Sequence, residues 1–84
     1  MRTSAGKAKG FADERYRRLV GRLNERRGEL GLSQAQLAAK IGNHQQFVGR
    51  FELGERRLDI VEFTDIATAL GLDPARLIEE LIGS

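Results

Sequence analysis

The sequence predicts an all-α fold, a single domain of five short helices with a flexible basic arm before it. Three observations carry this. Apolar residues recur at helical spacing almost without a break from Asp13 onward. Two capping-box signatures, Ser33-x-x-Gln36 and Asp59-x-x-Glu62, mark helix starts. β-branched residues are few and nowhere alternate over more than four positions, so strands have no support.

The elements follow in order. Residues 1–12 contain Gly6, Gly10, Arg2, Lys7 and Lys9, with Phe11 the only large apolar residue after Met1, and read as a flexible arm. The compact domain is expected over 13–84. Tyr16, Leu19, Val20 and Leu23 fall on one face of a first helix over about 13–29. Asp13 and Glu14 at its start and Arg26 and Arg27 near its end suit the helix dipole. The second helix opens at Ser33, buries Leu37, Ala38 and Ile41, and ends at Gly42. Two turns alone are unstable in water, so it must pack on neighbours. Asn43 or His44 caps the third helix, whose inner side is Val48 and Phe51 and whose end is Gly54. The fourth opens at Asp59, turns Ile60, Phe63, Ile66, Ala67 and Leu70 inward, and closes at Gly71. The fifth opens at Asp73-Pro74, a cap followed by proline in the first helical position, and carries Leu77, Ile78, Leu81 and Ile82.

Composition narrows function. At 84 residues the chain holds one ordinary domain, with little spare core. It has no cysteine and one histidine. That removes disulfides, thiolate zinc sites, a cysteine nucleophile and a paired-histidine metal site, and fits a reducing cytoplasm. No apolar run approaches the roughly 20 residues that span a bilayer. No nucleophile–base pair is visible, so an enzyme finds no support; neither cofactor nor small-molecule ligand is expected. The net charge of +2 hides a gradient. Residues 1–28 carry nine basic against three acidic groups, residues 29–58 four against three, and residues 59–84 one against six. Such asymmetry points to a polyanion at one end and a different partner at the other.

Two short helices joined by a glycine turn invite a test for a helix-turn-helix. The motif needs a small residue where the helices cross, a residue tolerant of positive φ in the turn, and apolar residues where the helices face each other. Counted from Gln34, Leu37 is fourth, Ala38 fifth, Ile41 eighth, Gly42 ninth, Val48 fifteenth and Phe51 eighteenth. Each meets its requirement. Asn43, tenth, departs from the usual apolar residue.

The chain here resembles the lambda/434 repressor and Cro family, the XRE-type helix-turn-helix proteins, over about Arg15 to Leu81. The resemblance rests on Leu32-Ser33-Gln34, Leu37-Ala38-Ala39-Lys40-Ile41-Gly42, Gln45-Gln46-Phe47-Val48, Phe51-Glu52-x-Gly54-Glu55-Arg56 and Ile66-Ala67-x-Ala69-Leu70-Gly71-Leu72. It implies a five-helix DNA-binding domain whose third helix enters the major groove. By resemblance, Gln45, Gln46 and Arg50 read bases: glutamine can pair with adenine N6 and N7, and arginine with guanine O6 and N7. Gly49 is either a close approach to the groove or a neutral surface position. His44 is a cap, a phosphate contact or an exposed residue. Phe47 is a core-edge residue or a contact to a thymine methyl or sugar. Gln34, Arg56 and Arg57 match the family's phosphate contacts, with Lys40 a weaker candidate. Arg27 and Glu52 match a semi-buried structural ion pair. Most other arginines of the first helix are expected to be solvated. The arm either follows the DNA or adds non-specific attraction.

Leu77, Ile78, Leu81 and Ile82 make a stripe too broad for closing one small core, so part of it should face another molecule. Acidic surroundings turn that end away from DNA. The expectation is a homodimer built on the fifth helix and the end of the fourth. It would bind a palindromic operator as a cytoplasmic, nucleoid-associated transcriptional regulator, a repressor with its own promoter among the candidate targets. The alternative is an antitoxin-type module that neutralises a partner protein and binds DNA secondarily.

Overall fold

The computed structural model describes residues 13–83; the basic arm expected over residues 1–12 lies outside them. The described residues form five helices: α1 (Glu14–Glu29), α2 (Gln34–Lys40), α3 (Gln45–Leu53), α4 (Ile60–Ala69) and α5 (Pro74–Gly83). The order and number match the sequence expectation.

The helix starts form as the sequence dictates. The Asp13 carboxylate accepts from the Arg15 backbone N–H at 2.8 Å. Both boxes close in both directions. Gln36 N–H donates to Ser33 Oγ at 3.0 Å and Ser33 N–H to Gln36 Oε1 at 2.8 Å. Glu62 N–H donates to Asp59 Oδ1 at 2.7 Å and Asp59 N–H to Glu62 Oε1 at 3.0 Å. Each satisfies two backbone donors that a helix start leaves without intrahelical partners.

The turn between α2 and α3 explains how Asn43 serves where an apolar residue is usual. Gly42 takes φ +67°, a conformation that penalises any Cβ. The chain then folds back so that Asn43 N–H reaches Ala38 O at 2.9 Å. The Asn43 side chain accepts from His44 N–H at 2.8 Å. Asn43 thus closes the turn by hydrogen bonding instead of burial. His44 occupies the cap position of α3 but makes no side-chain cap bond.

The core is built from all five helices. Leu23, Leu37, Val48, Phe51, Ile66 and Leu70 are fully buried, with Val20, Ala38, Phe63, Ala67 and Leu77 beside them. Burying each large side chain contributes roughly 1.5–3 kcal/mol. Ala38 is small where α2 and α3 pack, and that pair makes the most extensive helix contact in the domain.

The structure corrects one expectation and adds one contact. Ile60, read as inward, is 68% exposed. It is the first residue of α4, next to the exposed Asp59 cap, and its side chain stays in solvent while Phe63 and Ile66 are buried. Most of the other α1 arginines are solvent-exposed, as expected, but Arg26 is half-buried and tied in. Its Nε donates to Leu70 O at 3.0 Å, satisfying a carbonyl at the end of α4. Arg22 also reaches across, to Glu80 of α5 at 2.5 Å, although that pair stays on the surface.

Candidate nucleic-acid interface

The third helix presents two unlike sides. Val48 and Phe51 are completely buried, whereas Gln45, Gln46 and Arg50 are exposed. These three side chains form no hydrogen bond or ion pair with any described residue. They leave one face of the first two turns carrying amide and guanidinium groups, the chemistry that pairs with base edges in a major groove. His44 is exposed just before them.

Gly49 lies on the same helix but is half-buried. A methyl group there would sit 3.5 Å from Gln34 Oε1. The Gln34 amide rests over it at ordinary van der Waals distance, so packing within the domain does not itself require glycine there.

Gln34 is held from a second side. Its Nε2 donates to Glu52 Oε1 at 2.9 Å. Glu52 in turn receives a two-pronged bond from Arg27, Nε to Oε2 at 2.7 Å and Nη2 to Oε1 at 3.0 Å. Arg27 Nη1 also donates to Leu32 O at 2.7 Å. The Glu52 side chain is 6% exposed and that of Arg27 19%. The hydrogen bonds that Arg27 donates to the Glu52 carboxylate raise its pKa above the ordinary arginine value. This network links α1, the start of α2 and α3. Its Arg27–Glu52 part was expected from the sequence, and its Gln34 branch was not. Gln34, a phosphate candidate, reaches the surface with its amide already oriented by Glu52.

The loop after α3 holds a second construction. Arg56 Nη1 and Nη2 reach Glu62 Oε1 and Oε2 at 3.1 and 2.6 Å. Its guanidinium carbon lies 5.2 Å from the centre of the Phe47 ring. Phe47 packs tilted against Phe51, with ring centres 5.6 Å apart. Phe47 is therefore a core-edge residue covered by a cation. The sequence contained the signal for this pair: a capping-box glutamate points back toward the residues preceding its helix, and Arg56 lies there. Arg57 and Lys40 are exposed.

The four residues expected at a subunit contact separate. Leu77 is 3% exposed and closes the monomer core, so it is not a surface residue. Ile78 and Leu81 are half-buried, and Ile82 is 76% exposed. Ile60 and Val61, at the opposite end of α4 from the one expected to join the contact, are exposed as well. No group of three His, Cys, Asp or Glu residues among the described residues could hold a metal ion. No helix among them is long and apolar enough to cross a membrane.

Comparison with known proteins agrees with this geometry. The Helix-turn-helix family model matches residues 23–77. An XRE-family like protein from Pseudomonas syringae pv. tomato is 38% identical, with a TM-score of 0.82 over 94% of this chain and 96% of that one. The restriction-modification controller protein C.AhdI from Aeromonas hydrophila is 36% identical, with a TM-score of 0.67 over 76% of this chain and 96% of that one. A hypothetical transcription factor from Neisseria shares the fold at 23% identity and a TM-score of 0.69, over 98% of each chain. No curated protein matches significantly.

Proposed function

Because the chain belongs to the XRE-type helix-turn-helix family of DNA-binding transcription regulators, we propose that it is a repressor that binds a palindromic operator as a homodimer. The observation that carries this reading is the outward face of α3. Gln45, Gln46 and Arg50 are exposed and uncommitted to any described residue, on a helix whose other side is locked into the core.

Gln45 and Gln46 act as adenine readers and Arg50 as a guanine reader. Arg57 and Gln34 contact the flanking phosphates, with Lys40 in a lesser role. Such contacts fix register without carrying sequence information. The Arg27–Glu52 pair keeps α3 at a fixed attitude to α1, so the readers arrive together. The protein acts without cofactor or catalysis, by occluding a promoter.

The homodimer places α5 of each subunit against its partner through Ile78, Leu81 and Ile82. The acidic character of residues 59–84 supports this, because it would repel a duplex and leaves that end free for a protein contact. Two recognition helices would then address half-sites about one helical turn apart, 34–36 Å. The likeness to a restriction-modification controller, 36% identical, supports the reading as a DNA-binding regulator.

Selection from a random duplex library tests the proposal. An enriched motif with two-fold symmetry and half-sites about 10 base pairs apart is expected. Absence of enrichment over the input library contradicts it.

A further inference from the structure

Arg56, Glu62 and Phe47 form a cluster that spans α3, the following loop and α4. An arginine in a basic loop beside a recognition helix is ordinarily counted among the phosphate contacts. Here both terminal nitrogens of Arg56 are bound by the Glu62 carboxylate at 3.1 and 2.6 Å, and Arg56 also donates to the Arg57 carbonyl. One face of its guanidinium lies over the Phe47 ring at 5.2 Å. Glu62 is itself fixed, since its Oε1 also accepts from Asp59 N–H at 3.0 Å. Phe47 is fixed against the buried Phe51.

We infer that Arg56 is a positioning residue of the DNA interface, a latch that joins α3, the following loop and α4. Three properties of arginine make the latch: a planar fork that matches a carboxylate, a flat face that stacks on an aromatic ring, and a permanent charge. Phe47 is the third residue of α3, immediately after Gln46, and the Arg57 carbonyl is bound by the same guanidinium. The latch therefore sets the loop that carries Arg57 against the helix that carries the base readers. Its charge is neutralised by Glu62 and adds little to phosphate attraction. This inference rests on the DNA-binding reading above.

Salt titrations separate the latch from a phosphate contact. Affinity for the duplex enriched by the wild-type protein is measured against salt concentration for the wild type and for Arg56→Ala, Arg56→Lys, Glu62→Gln and Arg57→Ala. Circular dichroism confirms that each is folded. Glu62→Gln keeps an oxygen for the Asp59 cap and removes the ion pair.

If Arg56 is a latch, Arg56→Ala, Arg56→Lys and Glu62→Gln all weaken binding about three- to tenfold. That is the loss expected when one side chain and its loop must be ordered on binding. The salt slope stays within about half a unit of wild type, while Arg57→Ala lowers it by about one. If Arg56 contacts phosphate, Arg56→Lys retains affinity and Arg56→Ala lowers the slope by about one. Glu62→Gln then tightens binding by freeing the cation. That result overturns the latch and leaves DNA binding intact. A wild-type protein that binds no duplex overturns both.

Discussion

Arg27 and Glu52 meet through two parallel hydrogen bonds, 2.7 and 3.0 Å long, between α1 and α3. Glu52 is two residues after Arg50 on α3, so this fork ties the face proposed to read bases to α1, the longest helix of the domain. Gln34 binds the same carboxylate. Breaking one partner leaves an almost fully buried charge unpaired. Arg27→Met should therefore destabilise the fold by about 3 kcal/mol, toward the lower end of the range for buried pairs because Arg27 retains some solvent contact. Urea denaturation checks this. Adding Glu52→Gln to Arg27→Met should recover part of the loss.

The acid end of the stability curve tests the Asp13 cap. A side-chain hydrogen bond from Arg15, followed by the Arg15 backbone N–H, lowers Asp13 to about 2. A carboxyl more acidic in the folded state stabilises the fold fully above its unfolded value, near 3.9. The contribution disappears as pH falls through the folded value. The difference in melting temperature between wild type and Asp13→Asn should thus be constant above about pH 5 and shrink between about pH 4 and 2. A difference that grows on acidification contradicts the cap.

Gly49 and Gly54 should respond in opposite ways to alanine. Gly54 ends α3 at φ +83°, where an L side chain is strained by roughly 1–2 kcal/mol. Gly49 is helical, and a new Cβ would meet only Gln34 Oε1 at an ordinary contact distance. Gly49→Ala should therefore be neutral or stabilise by up to about 1 kcal/mol, the difference in helix propensity. Thermal melts of the two variants decide. A strongly destabilised Gly49→Ala would mean that the Gln34 amide cannot yield at all.

Leu77 and Ile82 separate folding from association. Leu77→Ala should cost about 2–5 kcal/mol of stability, as for any buried leucine. Ile82→Glu should leave the monomer fold intact and abolish the dimer in sedimentation equilibrium. If the wild type sediments as a monomer at high micromolar concentration, with and without operator, the α5 dimer is excluded.

Much of this molecule is legible in its sequence because its signals are local. Capping boxes, the Asp73-Pro74 start and the glycines at turns all act within four residues, and every helix begins within a residue or so of its expected place. The Arg27–Glu52 pair was accessible only through the family resemblance, since 25 residues separate the partners. What the sequence concealed is where helices end relative to one another. Ile60 lies in the helical register of Phe63, yet at the first position of α4 it stands beyond the core. Leu77 and Ile82 are both apolar residues of α5, and only the depth of packing separates buried from exposed. Arg26 looks like one more solvated arginine until the end of α4 brings the Leu70 carbonyl to it.

If the exposed face of α3 reads bases, the loss of Arg50 must change the sequence that the protein selects. Random-duplex selection is run in parallel with the wild type and with Arg50→Ala, and affinities are measured on the wild-type motif. Arg50→Ala should lose about 1–3 kcal/mol on that motif and relax the preference at one base pair in each half-site, with the remaining positions unchanged. An unaltered motif bound more weakly at every sequence would make Arg50 a phosphate contact and contradict the account.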